Sequence, residues 1–327
     1  MGKAEVLAML RDGEFVSGEE ISRTLGVSRA AVWKAINALR EEGCRIDSVP
    51  NRGYCLRRAE TQLCATQVQL LAGNCSWAQQ ISVVDEVDST NNLAKRQAGA
   101  GAPHGSIYIT LRQTGGRGRS GRSFASPPGG VYLSALLRPK TEASDLLYLT
   151  AAVAVATRRA ILDCCKIDVG IKWTNDLVVG RKKICGILTE LSVEADSGCL
   201  EYAVLGIGIN CNTSLTQFPE PVREVATSLY EASGHTVDPN ALAAALVRRL
   251  WELDAQLPTQ LEAWLAEYAS ACVTIGQDVM ILRGGETRYA HAEGIDASGG
   301  LLVRYDNGET AVVNSGEVSV RGMYGYV

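Results

Sequence analysis

The sequence predicts an α+β protein of three domains, and three features of its 327 residues support this fold class. Two short helical patterns near the N-terminus are joined by a glycine turn and followed by a hairpin pattern, which is typical of a winged helix-turn-helix. A long central region mixes helical and strand periodicities, as a mixed α/β domain does. Short alternating strands then complete the chain. We expect domains at 1–60, 67–271 and 272–327, with a polar linker within 57–69.

The composition is that of an ordinary folded protein without a membrane-spanning segment. Hydrophobic residues make up 46% and charged residues 21% of the chain, and no apolar run approaches the roughly 20 residues that cross a bilayer. The 10 cysteines include no C-x-x-C pair, so we expect reduced core thiols and no metal held by protein ligands. Because the N-terminus lacks a signal-peptide pattern, we expect a cytoplasmic protein with no membrane partner.

Basic residues concentrate in the first predicted domain, although the net charge of the chain is -4. Residues 23–58 hold an excess of Arg and Lys over Asp and Glu, which is the electrostatic pattern of a nucleic-acid-binding module. Ser17 and Glu20 have the spacing of a capping box, and Gly26 is placed to end the helix that they begin. Ser28 can cap a second helix directly afterwards.

The second helical pattern, R-A-A-V-W-K-A-I-N-A-L-R-E-E, carries Val32, Ile36 and Leu39 on one face. Its first residues and its opposite face are placed to meet a DNA major groove. The residues expected to contact DNA from this helix are Ser28, Arg29, Ala30, Trp33, Lys34 and Asn37. Two strands about P-N-R-G then form a wing, and Arg52 at its tip suits a backbone or minor-groove contact. The alternative is a small helical domain used only for protein contacts. Basic residues on both helix and wing favour DNA binding.

The central region contains three polar clusters whose residue types suit a ligand site. In the first, V-D-S-T-N-N-L-A, we expect a strand through residues 85–87 and a helix that begins at Ser89, Thr90 and Asn91. Exposed N–H groups and short polar side chains at a helix start can hold an anion or a polar head group. The simpler alternative is an N-cap.

The second cluster is the loop Q-T-G-G-R-G-R-S-G-R-S-F, residues 113–124. It lacks the Lys-Ser/Thr ending of a phosphate-binding P-loop, so its arginines must supply the positive charge. We expect its glycines to leave the loop mobile until a phosphate or carboxylate offers the arginines bidentate partners. An RG-rich nucleic-acid tail is the alternative, which a single copy inside a folded region disfavours.

The third cluster, I-K-W-T-N-D-L-V-V-G-R-K-K-I-C-G-I-L, has the alternation of a hairpin with its turn at Gly180. Such a hairpin sets Lys172, Asn175, Asp176 and Lys183 near one end of a sheet. Two cations, an amide and a carboxylate are the mixture expected where a phosphoanhydride is handled.

These three clusters, in this order and spacing, resemble those of the biotin protein ligases over nearly the whole chain. The family's G-R-G-R-x-G-R signature is met at 116–122, and its K-W-P-N-D signature is met at 172–176. The winged helix resembles that of the bifunctional members, which also repress the biotin biosynthesis operon. The resemblance implies a catalytic domain similar to class II aminoacyl-tRNA synthetases and a C-terminal SH3-like β-barrel.

Two residues depart from the family's pattern. Thr174 stands where the family usually has proline, which removes a rigid φ, so we expect a looser presentation of Asn175 and Asp176. Phe124 stands where a tryptophan often follows the arginine loop, so we expect a ring of smaller area to cover an adenine.

The resemblance implies an ATP- and Mg²⁺-dependent ligase that takes biotin as substrate. Such an enzyme activates biotin as biotinyl-5′-AMP and transfers it to a lysine of the biotin carboxyl carrier protein. Operator DNA and a ligand-promoted homodimer follow as further expected partners, with the adenylate as corepressor.

The resemblance also implies roles for individual residues. Lys183 matches the cation near the valeryl carboxylate and α-phosphate, and Arg119 matches the part of the loop that folds over the adenylate. Asp176 orients either the acceptor amine or a metal ion, and Asn210 either contacts the nucleotide sugar or only ends a strand. We expect catalysis from Lys183, Arg119 and Asp176. The expected binding residues are Ser89, Thr90, Asn91, Gln113, Gly116, Arg117, Gly118, Arg119, Arg122, Phe124, Lys172, Asn175, Lys183, Gly186 and Asn210, of which Ser89, Thr90, Gln113 and Arg117 match positions that hold the ureido ring.

Two other classes of function are compatible with parts of this pattern. One is a transcription factor that senses a nucleotide-like ligand without turnover, and the other is a lipoate-type ligase. Pyrophosphate exchange separates them, because the first binds without exchange and the second exchanges with lipoate instead of biotin. The winged helix together with the complete arginine loop favours the biotin ligase.

Overall fold

A computed structural model describes residues 2–10, 12–57, 62–139, 148–194, 199–283, 286–314 and 318–322. Within these residues the chain forms a helical N-terminal region with a two-stranded sheet, a central region around a seven-stranded sheet, and a C-terminal five-stranded sheet. The expected mixed α+β class is therefore confirmed. Among the described helices, none combines the length and the apolar character that a membrane span requires.

The N-terminal region has the helix-turn-helix and wing that the sequence predicts. Its elements are α1 (Lys3–Met9), α2 (Gly18–Leu25), α3 (Arg29–Glu41), β1 (Ile46–Val49) and β2 (Gly53–Leu56). Ser17 Oγ accepts the backbone N–H of Glu20, Ser28 Oγ accepts that of Ala31, and Gly26 ends α2 in the left-handed region. The apolar face of α3 packs in a core that also includes α1, a helix that the sequence analysis did not predict.

The wing is fixed to the body of this region by a backbone contact that only glycine permits. Gly53 has φ 102°, and a Cβ there would lie 2.1 Å from the carbonyl oxygen of Val16. Val16 and Tyr54 exchange both of their backbone hydrogen bonds, at 2.8 and 2.9 Å. The hairpin therefore keeps a defined position beside α2.

The predicted polar linker at 57–69 is wrong in its second half, while residues 58–61 lie outside the described part of the chain. Helix α4 (Ala65–Ala72) follows Cys64, and Gln67 is 2% exposed. The helix is covered on two sides, by α1 and by α9 (Pro239–Gln256), so its polar residues are buried and its periodicity is hidden. Asn240 Oδ1 of α9 accepts the N–H of Cys64 at 2.8 Å and so caps α4 across the fold.

The central sheet has the strand order β3-β4-β5-β9-β8-β7-β6, in which only β3 and β4 are parallel. Its strands are β3 (Ile81–Val83), β4 (Ser106–Thr110), β5 (Val131–Leu137), β6 (Gly170–Lys172), β7 (Asp176–Val179), β8 (Lys182–Val193) and β9 (Leu200–Ile209). The expected β7–β8 hairpin is confirmed, with Gly180 at φ 58° in its turn. The expected strand at 85–87 is wrong: β3 ends at Val83 because the chain bends away from the sheet, and Val87 pairs only with Gln113.

Helices cover both faces of this sheet. On one face lies α5 (Thr90–Gly99), whose Ala94 and Ala98 pack against Tyr108, Leu136 and Val204. The opposite face packs against α6 (Leu149–Cys165), α9 and α10 (Leu261–Ala271), and α7 (Glu220–Arg223) and α8 (Leu229–Ser233) are short connecting helices. Because alternate strand residues share a face, β9 continues the α5 face from Val204 to Gly206 and Gly208. These two glycines leave the sheet open beyond the N-terminus of α5.

The C-terminal region is an antiparallel sheet of order β13-β12-β11-β10-β14. It contains β10 (Asp278–Arg283), β11 (Glu286–Ile295), β12 (Leu301–Tyr305), β13 (Thr310–Val313) and β14 (Val318–Gly322). Its buried apolar side chains join the central core, and Trp173 Nε1 donates to the Gly299 carbonyl at 3.0 Å. The third region is thus attached beside the K-W-T-N-D segment. Of the expected C-terminal domain, residues 284–285, 315–317 and 323–327 lie outside the described part of the chain.

Candidate active site

A cavity of about 880 Å³ lies where the N-terminus of α5 meets β8 and β9. Its volume falls within the roughly 300–1,000 Å³ that is usual for small-molecule sites. All the expected catalytic and binding residues of the central region line it, with the single exception of Gly116. Three sequence clusters that are far apart in the chain therefore form one site.

Glycines on β8 and β9 form the floor of the cavity. A Cβ at Gly206 would lie 2.0 Å from Asn91 Oδ1, and one at Gly208 would lie 2.5 Å from the Phe124 ring. Gly186, which pairs with Gly208 across the sheet, approaches the same ring and the Lys183 side chain. The Asn91 amide therefore lies over the floor at Gly206, and the Phe124 ring, with Lys183 beside it, lies over the floor at Gly208.

The amide end of the cavity is built from neutral hydrogen-bonding groups. Ser89 precedes α5 but its side chain makes no capping bond. The N–H and hydroxyl of Thr90 both donate to Gln113 Oε1, at 2.8 and 3.2 Å. Gln113 Nε2 in turn donates to Ser126 Oγ at 2.8 Å, so the amide orientation of Gln113 is fixed.

Asn91 joins this group to the strands beneath it. Its Oδ1 accepts from Ser134 Oγ of β5 at 2.6 Å, and its Nδ2 donates to Glu190 Oε2 of β8 at 2.8 Å. Ser134 Oγ also lies 2.8 Å from Thr90 Oγ1. Ser89, Thr90 and Asn91 are all buried. The helix start therefore presents an ordered polar surface to the cavity, and the Ser89 side chain does not act as an N-cap.

The glycine–arginine loop folds back on itself over the cavity. Gly118 N donates to the Arg122 carbonyl at 2.7 Å, and Phe124 N donates to the Gly116 carbonyl at 2.9 Å. A Cβ at Gly116 would lie 2.3 Å from the Phe124 carbonyl oxygen. Gly116, the one expected binding residue that does not line the cavity, therefore allows the two sides of the loop to meet.

Arg119 connects this loop to the K-W-T-N-D segment. Its Nη1 donates to Thr174 Oγ1 at 3.0 Å and to Asn175 Oδ1 at 3.2 Å. Burial lowers the pKa of Arg119, because the charged guanidinium loses water when it is enclosed. The loop arginine and the hairpin residues are thus in direct contact.

The looser presentation expected from Thr174 in place of proline is wrong. The Tyr268 hydroxyl donates to the Thr174 carbonyl at 2.9 Å, and Asn175 Nδ2 donates to the Ile187 carbonyl at 2.7 Å. Thr174 is 6% exposed. Hydrogen bonds from α10 and β8, with the Arg119 contact, take over the constraint that a proline ring would supply.

The other end of the cavity is strongly electropositive. Lys183 Nζ lies 2.6 Å from Asp176 Oδ1 and 5.5 Å from the centre of the Phe124 ring. Among the described residues that line the cavity, Asp176 is the only carboxylate. The cationic side chains that line it are Arg117, Arg119, Arg122, Lys172, Lys183 and Arg283. Such a surplus of positive charge suits a ligand that carries several phosphates.

Asn210 ends β9 and also faces the cavity. Its Nδ2 donates to the Thr227 carbonyl at 2.9 Å, which fixes the strand end to the segment before α8. Its buried Oδ1 has no hydrogen-bond partner within the described part of the chain. The structural role is therefore shown, and the oxygen is available to a ligand.

The residues expected to bind DNA lie together on the outer side of α3 and on the wing. Arg29, Ala30, Trp33 and Lys34 are exposed, and the exposed fraction of Trp33 is 56%. The Ser28 hydroxyl is occupied by its capping bond, and Asn37 is half-buried beside Arg40. The guanidinium of Arg52 stacks over the Phe15 ring at 4.4 Å.

Sequence reasoning missed several residues of the site. Ser134 and Glu190 lie beneath the amide end, Ser126 holds Gln113, and Arg283 reaches the cavity from β10. Ser134 had a usable signal, because it is the one polar residue in the buried strand V-Y-L-S-A-L-L. Glu190 and Arg283 had none, since both stand in ordinary alternating strand patterns.

Comparisons with known proteins agree with this site and its setting. The Biotin/lipoate A/B protein ligase family model matches residues 83–210, an HTH domain model matches 3–55, and the Biotin protein ligase C terminal domain model matches 274–321. The solved biotin protein ligase from Aquifex aeolicus in complex with biotin and ATP has a TM-score of 0.65 and 30% identity, covering 75% of this chain and 99% of that chain. The chain belongs to the biotin protein ligase family.

Relatives that span nearly the whole chain are two-function proteins. The Bifunctional ligase/repressor BirA of Bacillus subtilis is 33% identical over 300 residues, which cover 90% of this chain and 91% of that protein. The protein of the same name from Escherichia coli is 32% identical over 324 residues, covering 97% and 96%.

Proposed function

We propose that this protein is a biotin protein ligase that also represses the genes of biotin biosynthesis. The observation that carries the proposal is the arrangement of the cavity. Neutral hydrogen-bonding groups surround Asn91, cations surround Lys183, and Phe124 lies on the glycine floor beside Lys183. Biotinyl-5′-AMP has matching parts: an uncharged ureido ring, an anionic phosphate and an adenine ring.

The ureido ring binds at the amide end. It offers both donors and acceptors, and the fixed amide and hydroxyl groups of Thr90, Asn91 and Gln113 can satisfy them without placing a charge against a neutral head group. Ser89 supplies a side chain that does not cap its helix. Arg117 closes this end from the loop.

Adenylate formation takes place beside Lys183. A carboxylate oxygen of biotin attacks the α-phosphorus of ATP, the bond to the β-phosphate oxygen breaks, and pyrophosphate leaves. Negative charge increases around the phosphorus in this step, and the fixed cations of Lys183 and Lys172 stabilise it more in the transition state than in the ground state. The adenine then stacks on Phe124, and Asn210 Oδ1 accepts from the nucleotide sugar.

Transfer completes the reaction. The amine of the carrier-protein lysine attacks the acyl carbon of the adenylate, loses a proton, and displaces AMP to leave an amide bond. The loop that Arg119 holds against Thr174 and Asn175 covers the adenylate and keeps water from this acyl phosphate until the lysine arrives.

The residues of the cavity fit Mg²⁺ that enters with ATP. Mg²⁺ retains water and phosphate oxygens and usually takes only one or two protein carboxylates. Asp176 is the carboxylate that would hold it, because no other Asp or Glu is found among the described residues that line the cavity. The ion would neutralise charge on the triphosphate.

We propose the finer fold assignments on the same basis. We assign the central region, with its mixed sheet and helices on both faces, to the fold of class II aminoacyl-tRNA synthetase catalytic domains. We assign the C-terminal five-stranded sheet to the SH3-like barrels. The first and third domains keep the boundaries 1–60 and 272–327. The second begins at α4, since its expected start at 67 falls inside that helix.

Repression uses the exposed face of α3 and the wing. One winged helix offers few base contacts, so two chains bind a two-fold operator as a ligand-promoted homodimer, with the adenylate as corepressor. A cytoplasmic location, as the sequence predicts, would give the protein access to both operator DNA and ATP. Sedimentation and operator binding, each with and without biotin plus ATP, test this coupling, and ligand-independent operator binding by a monomer contradicts it.

Biotin-dependent exchange of labelled pyrophosphate into ATP tests the ligase proposal. We expect exchange with biotin, none without it, and none when lipoate replaces it. Exchange with lipoate alone identifies a lipoate ligase. Biotin binding without exchange identifies a ligand-sensing transcription factor.

A further inference from the structure

Glu190 lies behind the amide end of the cavity and contacts two of its lining residues without lining it. It stands on the same face of β8 as Gly186 and Leu188, one step further along the strand. Its carboxylate accepts from Asn91 Nδ2 at 2.8 Å and lies 3.5 Å from Arg117 Nη2. Lys95, one turn after Asn91 on α5, pairs with the other side of the same carboxylate.

We infer that Glu190 is a positioning residue that sets the polarity of the biotin-binding network by fixing which way the Asn91 amide faces. The inference rests on the proposed function. A side-chain amide is nearly symmetric in shape, so its partners decide its orientation. A carboxylate can only accept, so Glu190 takes Asn91 Nδ2 at 2.8 Å, beside the weaker contact of the same Nδ2 with the Leu188 carbonyl at 3.2 Å, and Oδ1 is directed toward Ser134 and the cavity floor.

The Asn91 amide is part of a larger group of oriented hydrogen bonds at this end of the cavity. Asn91 Oδ1 takes the proton of Ser134, so the Ser134 oxygen presents lone pairs elsewhere. The Thr90 hydroxyl donates to Gln113, whose Nε2 donates to Ser126. The donors and acceptors at this end of the cavity therefore face defined directions. A ureido ring, whose own donors and acceptors are fixed, needs partners that are oriented in this way.

The electrostatic surroundings keep Glu190 ionised. Burial on its own raises the pKa of this carboxyl, but hydrogen bonds from Lys95 and Asn91 outweigh burial, so the pKa is lowered overall. Its side chain is 19% exposed. The negative charge is thus paired with Lys95 and Arg117 and is present at neutral pH.

Glu190→Gln tests this account because it retains shape and removes charge. The glutamine oxygen turns toward the ammonium of Lys95, which leaves its NH₂ group facing Asn91 Nδ2, so two donors oppose each other; a flip of the Asn91 amide would instead set its oxygen against the Leu188 carbonyl. We expect the Kd for biotin to rise on the order of tenfold, since a charge-assisted bond is lost and Asn91 is no longer held in place. The KM for ATP stays unchanged.

Two further variants make the test specific. Lys95→Met removes the cation that attracts the glutamine oxygen, so the Lys95→Met/Glu190→Gln double variant regains most of the lost biotin affinity. Glu267→Gln is the matched control: this carboxylate is 28% exposed and paired with Arg158 and Arg159, none of these three residues lines the cavity, and its loss leaves biotin affinity unchanged.

The experiment is calorimetric titration of biotin into the wild-type chain and five variants, with thermal unfolding of each; the set includes Asn91→Ala and the Asn91→Ala/Glu190→Gln double variant. Wild-type affinity in Glu190→Gln, or no recovery in the Lys95→Met double variant, overturns the inference while leaving the ligase proposal intact. Absence of biotin binding by the wild-type chain overturns both. An undiminished effect of Glu190→Gln in the Asn91→Ala background shows that Glu190 does not act through Asn91 and also overturns it.

Discussion

The cavity and the DNA-binding face differ in how their residues are held. In the cavity, Asn91, Gln113 and Arg119 each contact side chains from distant segments. On α3, Arg29 forms an ion pair with Glu19 at 3.5 Å, and both side chains are 74% exposed. An ion pair of that exposure contributes little to stability.

This difference follows from what each surface binds. A small ligand is enclosed, and side chains that are already held in place lose less conformational freedom when it binds. DNA brings its own regular geometry and a dense phosphate charge, so exposed cations and an exposed tryptophan need no partners beforehand. Substitutions in the cavity should therefore affect chemistry and neighbouring contacts together, whereas substitutions on α3 should affect DNA binding alone.

The largest effect is expected for Lys183→Ala. Loss of a fixed cation at a developing phosphoryl charge should reduce the rate of adenylate formation about 100-fold or more, which corresponds to about 3 kcal/mol. Pyrophosphate exchange measures this rate. The variant also leaves Asp176 without the cation that lies 2.6 Å from it, so a smaller loss of stability should appear in thermal unfolding.

Lys182→Ala is the control for this prediction, because the adjacent lysine is exposed and does not line the cavity. It should retain wild-type exchange. Exchange kinetics that are unchanged in folded Lys183→Ala would falsify the role assigned to Lys183.

The second effect in size is expected for the Arg29→Ala/Trp33→Ala double variant. Operator affinity should fall roughly 10- to 100-fold, as expected when groove contacts of about 1–3 kcal/mol are removed. Exchange activity and thermal stability should stay at wild-type levels, since both side chains are exposed. Undiminished operator binding contradicts the proposed recognition helix, and lost ligase activity contradicts the separation of the two surfaces.

The parts of both surfaces that are defined by residues close together in the chain could be predicted from the sequence. Ser28 and Gly26 define the helix-turn-helix locally, and the arginine loop lies within twelve consecutive residues. Prediction failed where tertiary packing determines the secondary structure of a segment or the role of a residue. Helix α4 was interpreted as a linker because burial on two sides removes amphipathic periodicity. Glu190 was missed because its role depends on β8 passing beneath α5, which no local pattern specifies.

The third prediction concerns Arg119→Ala, which removes the contact between loop and hairpin. Release of biotinyl-AMP should become about tenfold faster, because the side chain that holds the loop closed is gone while Gly118 keeps its flexibility. Stopped-flow measurement of adenylate release checks this. Release at the wild-type rate, with the loop still closed in the complex, contradicts it.

The smallest effect is expected for Thr174→Val, which removes one hydroxyl from the same contact at nearly constant volume. Arg119 then keeps Asn175 Oδ1 but loses the acceptor at 3.0 Å, so adenylate release should accelerate by only about fivefold, the effect of one hydrogen bond of roughly 1 kcal/mol.

Thr157→Val is the matched control, because that buried hydroxyl donates to the Val153 carbonyl within α6. It should leave release unchanged. If Thr174→Val releases adenylate as fast as Arg119→Ala does, the threonine hydroxyl holds the loop by itself and Asn175 contributes nothing. If release is unaffected, the contact that replaces the proline ring does not restrain the loop, and the arginine acts only on the ligand.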